Sequence, residues 1–255
     1  MPADWEKVDL PHSWNAIDGQ DGGNDYYRGT CWFAKEIKAS DLPEGEVYYL
    51  QFDGVNSTAE VFFNGKSLIV HHGGYSTFRV KLDDIKDENL LVVSADNSPN
   101  NFVYPQMADF TFYGGIYRDV NIIAVAESHF DLDYFGGKGL VITPEVQGAD
   151  AKIKVQTYVT NKTSSQKVKL EIKDAEGTVV ADVTTDSAEA ELEIKDVHLW
   201  HGRKNPYLYT CEASLVEGEK VVDTVSSRFG CRTYKIDPEN GFILNGEEYP
   251  LRGVS

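Results

Sequence analysis

Apolar and polar residues alternate in short runs along the first half of the chain. Thr30 to Lys38, Val47 to Phe52, Ser76 to Leu82, Leu90 to Ala95 and Tyr117 to Val125 each alternate or run apolar over five to nine residues. Glu60-Val61-Phe62-Phe63 leads into Asn64-Gly65 and then Ser67 to His71. A period of two is that of a strand with one face in a core. Asn-Gly between two such runs predicts a tight hairpin, because both turn positions need positive φ. No window carries an i, i+3, i+4 apolar stripe with caps at both ends, so helices are not expected. The fold class predicted is all-β, beginning with a jelly-roll-type sandwich of two antiparallel sheets over residues 1–126.

A second rhythm starts near Ser128. The predicted strands are His129 to Phe135, Gly139 to Gln147, Ala151 to Thr160, Val168 to Lys173, Thr178 to Val183, Ala190 to Val197, Tyr207 to Val216 and Val221 to Thr233. That number of strands in about a hundred residues is the size of an immunoglobulin-like β-sandwich, placed at 127–235. The Cys-Trp-Cys pattern of antibody domains is missing. Residues 161–195, rich in Lys, Glu, Asp, Ser and Thr, read as solvated strand faces with a spacer role. Leu199-Trp200 and Pro206-Tyr207-Leu208-Tyr209 read as a loop packed on the domain's own core or on a neighbour. Asn240-Gly241 and Asn245-Gly246 predict a small hairpin near the end, in the segment 236–255.

Composition narrows the function classes. Hydrophobic content of 41% with 12% aromatics supports a packed, soluble protein, and 255 residues are enough for two modest domains or one large one. No apolar run approaches a membrane span. The net charge of −17 argues against nucleic acid, a polyanion, and does not repel a neutral sugar. Cys31, Cys211 and Cys231 are an odd number at wide spacing, which predicts buried free thiols, a Cys211–Cys231 bridge being the one conceivable pairing. The acids between Asp18 and Asp25 do not keep calcium-loop spacing, and His71-His72 would point to opposite faces of a strand. Neither a metal nor a cofactor is expected. The start, Met-Pro-Ala-Asp-Trp, lacks a signal segment, which leaves a cytoplasmic protein or an exported one whose leader has been removed.

Asn101 to Val120 does not look like a simple core strand. Phe102, Tyr104, Phe110, Phe112, Tyr113 and Tyr117 surround Asp109 and a Gly114-Gly115 break, where a bend or bulge is expected. Rings beside an acceptor carboxylate suit a sugar surface: the rings cover the CH face of a pyranose and the carboxylate accepts from its hydroxyls. The rings alone, and Tyr75 and Phe78 with them, read as core. No nucleophile motif, P-loop or dinucleotide fingerprint occurs, and no pair of carboxyls can be nominated for glycoside hydrolysis.

Several motifs, in order, resemble glycoside hydrolase family 2, which includes β-galactosidases and β-glucuronidases. They are Leu10-Pro11-His12-Ser13-Trp14-Asn15, Tyr26-Tyr27-Arg28-Gly29, Phe52-Asp53-Gly54-Val55, Val61-Phe62-Phe63-Asn64-Gly65, His72-Gly73-Gly74-Tyr75-Ser76-Thr77-Phe78 and Tyr113-Gly114-Gly115-Ile116-Tyr117-Arg118-Asp119-Val120. Leu199-Trp200, Pro206-Tyr207-Leu208-Tyr209 and Phe229-Gly230-Cys231-Arg232 resemble the end of that family's immunoglobulin-like domain. Phe242 to Gly246 and Leu251 to Ser255 resemble the entry hairpin of its catalytic (β/α)₈ barrel.

The resemblance implies retaining hydrolysis of terminal β-glycosides by two barrel glutamates, which this chain would lack. No catalytic residue is therefore expected here. It also implies that Asp109 is a substrate-binding residue, positioning the terminal sugar without reacting. Arg118 and Asp119 would pair within the sandwich. The run Gln106 to Phe112 inclines toward the galactosidase branch. The partners expected are a carbohydrate substrate and the catalytic barrel of the same chain, with a homo-oligomer left open. The competing class is a stand-alone carbohydrate-binding or adhesion module of the same fold, and a third is a structural module joined to a partner chain.

Overall fold

The computed structural model describes residues 4–17, 26–104 and 110–253. The chain divides into two compact units, 1–126 and 127–255, each with its own core. Asp109 and the loop from Asp18 to Asp25 lie outside the described residues.

In the first unit, β1 (Thr30–Lys38), β3 (Thr58–Phe63), β4 (Lys66–His72) and β6 (Glu88–Asp96) form an antiparallel sheet in the order β1-β6-β3-β4. The second sheet, β5-β2-β7, is built from β2 (Val47–Phe52), β5 (Phe78–Leu82) and β7 (Val120–Val125). The burial follows the alternation: in β3 Ala59, Val61 and Phe63 are buried while Thr58, Glu60 and Phe62 are less so. Both sheets contribute to one core around Phe52, Val61, Phe78 and Val93. The Phe52 and Phe78 rings stack at 4.8 Å. At the β3–β4 turn Asn64 and Gly65 take φ of 51° and 83°, the mirror-image turn that Asn-Gly favours.

The second unit packs β9 (Leu140–Gln147), β10 (Asp150–Thr157) and β14 (Glu189–Ile194), in the order β14-β10-β9, against β12 (Gln166–Lys173), β13 (Val179–Thr185), β15 (Tyr209–Glu217) and β16 (Lys220–Phe229), in the order β13-β12-β15-β16. The shared core holds Ile153, Leu170, Ile172, Leu215 and the free Cys211 and Cys231. Burial pushes both thiols up to about 11. A short pair, β8 (His129–Phe130) with β11 (Val159–Thr160), completes this part.

The predicted strand from His129 to Phe135 stops at Phe130. Asp131 Oδ1 accepts from the amides of Asp133 and Tyr134, and Phe135 sits at φ 49°, so local side-chain bonding turns the chain. Within 161–195 the outward faces carry ion pairs such as Lys169–Glu171 and Lys195–Glu193, as solvated strands would. The aromatic loop packs on its own unit: His198 stacks on Tyr207 at 3.9 Å, and Trp200 N–H donates to Cys231 O at 2.8 Å.

β17 (Tyr234–Asp237), β18 (Gly241–Leu244) and β19 (Glu247–Glu248) form a small sheet, with Asn245 and Gly246 at φ 51° and 84° in the expected turn. Asn245 ties it down. Its amide donates to Thr233 O at 2.9 Å, its Oδ1 accepts from Thr233 N–H at 2.9 Å and its Nδ2 donates to Trp200 O at 3.0 Å.

Candidate functional site

The motifs that look unrelated in sequence meet at one end of the first unit, joined by buried asparagines. Asn97 follows β6 directly and is 1% exposed. Its Nδ2 donates to Phe112 O at 2.7 Å and to Asn15 Oδ1 at 3.2 Å, and its Oδ1 accepts from Gly29 N–H at 2.9 Å. Asn15, fully buried, accepts from Gly114 N–H at 2.8 Å and donates to Tyr27 O at 2.9 Å. Two amide side chains therefore join the segments around Trp14, Tyr27, strand β6 and the far side of the loop after it. Buried backbone groups with no ladder partner are satisfied in this way.

The glycine break makes that approach possible. A Cβ on Gly114 would run into the Trp14 indole, and Gly115, at φ +125°, lies against the His12 carbonyl. Gly115 also pairs with Asn56 across an isolated antiparallel bridge. The expected bend is thus a close contact between two loops. Tyr117 Oη donates to Gly74 O at 2.5 Å. Arg118 is held within the sandwich, as expected: it donates to the carbonyls of Asp53 and Tyr75, each at 3.2 Å, and lies over the Tyr117 ring. A guanidinium carries enough donors to gather three strand ends at once.

The loop leaving β6 is fixed at both described ends. Asn100 Oδ1 accepts from the amides of Phe102 and Val103, and Phe112 N–H donates to Tyr26 Oη at 3.0 Å. Residues 105–109 lie between these anchors. The expectation that the rings are core fails for several of them: Phe102 is 74%, Tyr104 75% and Tyr75 64% exposed. Phe78 is buried as expected, and Ile116 takes a core position beside it. A shallow concavity opens between Arg28, Asn56, Tyr75, Asn100, Tyr104 and Phe112. The Arg28 guanidinium sits 4.6 Å from the Phe112 ring centre, and its Nε donates to Asn97 O at 3.0 Å.

Asp96 flanks this end. Burial raises its carboxyl, yet hydrogen bonds from Ser98 and Thr30 outweigh that and hold it below the ordinary range. His71 and His72 face opposite ways, as predicted. His71 stacks on Phe78 at 4.1 Å, and desolvation lowers its affinity for a proton against the Gly73 hydrogen bond that raises it. His72 stacks on Phe102 at 4.5 Å. Among the described residues no cluster of three potential metal ligands occurs, and no helix is long and apolar enough to cross a membrane. Asn15, Asn56 and Asn97 are the residues that the sequence patterns do not single out. The usable signal is an Asn just beyond a strand end or inside each of several motifs.

Comparison with known proteins fits this arrangement. Residues 6–126 match the sugar binding domain of glycosyl hydrolases family 2, and residues 138–232 match a second model of glycosyl hydrolases family 2. The chain belongs to glycosyl hydrolase family 2. A beta-glucuronidase of Bacteroides fragilis is 34% identical over all of this chain, which covers 39% of that protein. A beta-galactosidase of Thermoanaerobacter pseudethanolicus is 28% identical over 99% of the chain and 35% of its own length. The crystal structure of an FMN-binding beta-glucuronidase from Facaelibacterium prausnitzii L2-6 superposes with a TM-score of 0.92 at 38% identity, over 98% of this chain and 40% of that one. This family 2 chain therefore spans about two fifths or less of these relatives.

Proposed function

We propose that this chain is the noncatalytic, sugar-positioning part of a retaining glycoside hydrolase that cleaves terminal β-glycosides. In this reading residues 1–126 are the sugar-binding jelly-roll domain, 127–235 the immunoglobulin-like domain and 236–255 the entry hairpin of a catalytic (β/α)₈ barrel. Asp109 accepts hydrogen bonds from hydroxyls of the terminal sugar, while a barrel glutamate serves as acid/base and a second as nucleophile. The observation that carries it is the buried Asn15–Asn97 junction, which anchors both ends of the loop containing Asp109 beside a concavity with exposed rings. Anchored loop ends are what a positioning group needs, since misplacement by an ångström can cost about a hundredfold in rate.

The relatives carry both glucuronidase and galactosidase names, and the proteins from Bacteroides fragilis and Facaelibacterium prausnitzii L2-6, higher in identity than the galactosidase, are glucuronidases. The substrate is accordingly a terminal β-glucuronide or β-galactoside, and of the run Gln106 to Phe112 that inclines the reading to galactosides, residues 106–109 lie outside the described residues. Asp109→Ala in the full-length protein is expected to lower kcat/KM on the matching aryl β-glycoside by about a hundredfold, the loss of a charged hydrogen bond or two at a desolvated site. An unchanged kcat/KM removes Asp109 from the site. The 255-residue chain alone should release no aglycone above background, and turnover by it would refute the assignment of the glutamates to the barrel.

A further inference from the structure

The outward face of the β1-β6-β3-β4 sheet carries a surface that the proposed positioning role does not use. Register places Trp32 beside Ser94, Ser94 beside Glu60 and Glu60 beside Val70 in one row across all four strands. Trp32 is 52% exposed, and its ring centre lies 6.0 Å from that of Phe62 in the next row. The row on the other side ends in His72, whose ring stacks on the exposed Phe102, with Asp96 between it and Thr30. The opposite side chains of these strands, such as Val61, Val93 and Ala95, fill the core, so the face turned to solvent is the one bearing the aromatics. An antiparallel sheet face left to water is normally polar, and aromatic stations on it mark a binding surface.

We infer that this face binds a neutral polysaccharide chain, with Trp32 and Phe62 as one ring platform, Phe102 on His72 as another, and Glu60 and Asp96 as hydroxyl acceptors between them. Trp32 on β1 and His72 on β4 stand three strand spacings apart, roughly 14 Å, with Phe62 on β3 between them, so a ligand touching both ends is longer than one sugar ring. The charge pattern selects the occupant. These rows present two carboxylates and no Lys or Arg, so a polyanion is repelled, and a second copy meeting the face in a twofold contact would set acid against acid. A polyhydroxylated neutral chain offers CH faces to the rings and hydroxyls to the carboxylates. Binding at this face does not call on Asp109.

Affinity electrophoresis of the whole 255-residue chain through gels containing soluble xyloglucan, galactan or mixed-linkage β-glucan tests the inference, with polygalacturonate as the anionic control. Retardation is expected in at least one neutral gel and not in polygalacturonate. Trp32→Ala should weaken it about tenfold, the loss of one ring platform, while Trp32→Phe keeps part of the binding. Glu60→Gln, which keeps size and removes charge, should weaken it as well, so the result does not depend on how Trp32→Ala folds. No retardation in any neutral gel overturns the inference, as does full retardation of both Trp32→Ala and Glu60→Gln. Sedimentation showing that Trp32→Ala turns a dimer into a monomer overturns it too, because a second copy would then own the face.

Discussion

Asn97 stands where the end of β6, the segment around Gly29 and the carbonyl of Phe112 converge, and at that depth no water replaces what its amide provides. Its two ends do opposite work: the oxygen accepts from Gly29 and the nitrogen donates to Phe112 and Asn15. Asn97→Ala leaves a buried amide and a buried carbonyl unpaired, so a loss of about 2–4 kcal/mol is expected, read as a lower urea midpoint of the transition that unfolds the first unit. Asn97→Asp is the more informative variant. It can still accept from Gly29, but as a carboxylate it faces the Phe112 carbonyl and Asn15 Oδ1 with no proton to give. It should therefore be less stable at neutral pH than under mildly acidic conditions that protonate the new carboxyl. An Asn97→Asp protein as stable as the parent at both pH values would show that acceptance from Gly29 is all that matters.

At the scale of elements, the final hairpin depends on a single side chain that grips the backbone preceding it. The Asn245 side chain accepts from Thr233 N–H and donates to the Trp200 carbonyl, beside the backbone bond from Asn245 N–H to Thr233 O, while Glu247 Oε2 lies 3.4 Å from His201 and 3.5 Å from Lys204. Those ionic contacts reach an exposed carboxylate and contribute little, so the amide network decides. Asn245→Ala is expected to raise amide hydrogen exchange at Thr233 and along β18 by about tenfold or more, with exchange in β12 and β15 unchanged. Equal protection in the variant would place the hairpin's stability elsewhere. Strands and turns of this kind are legible in the sequence because period-two alternation and Asn-Gly pairs report directly on burial and on positive φ. β1 and β2 have the very ends expected. The ends of β8, β7 and β16 do not, since turns such as the one at Asp131 are made by side-chain bonds that periodicity does not register. The same limit applies to the candidate site. Its motifs can be located one by one, but the asparagines that join them span sequence separations of up to 99 residues, as between Asn15 and Gly114, and nothing local marks such partners. Exposure of Phe102, Tyr104 and Tyr75 escapes the sequence for a related reason: composition places aromatics in cores, and only the fold shows that Ile116, beside the expected Phe78, has already filled this one.

For the whole molecule the governing quantity is a net charge of −17 carried on two small cores. Self-repulsion of that size opposes compaction, and it acts over distances comparable to the Debye length, roughly 10 Å at 0.1 M salt. Against it stand surface ion pairs such as Lys152–Glu191, Lys169–Glu171 and Lys195 with Asp150 and Glu193. Salt weakens both, so the sign of its effect tells which is larger. Exposed pairs contribute little and often nothing measurable, whereas every unpaired acid feels the remaining excess. Repulsion should win, and raising NaCl from 20 to 300 mM is expected to increase Tm by a few degrees, on the order of 1 kcal/mol for domains of this size. The same ionic-strength series on Lys195→Met separates the two contributions. Removing that cation deepens the excess of acid and abolishes two pairs, so the variant should gain more from salt than the parent does. A Tm that falls as salt rises would mean that the ion pairs on the outer strand faces outweigh the net charge.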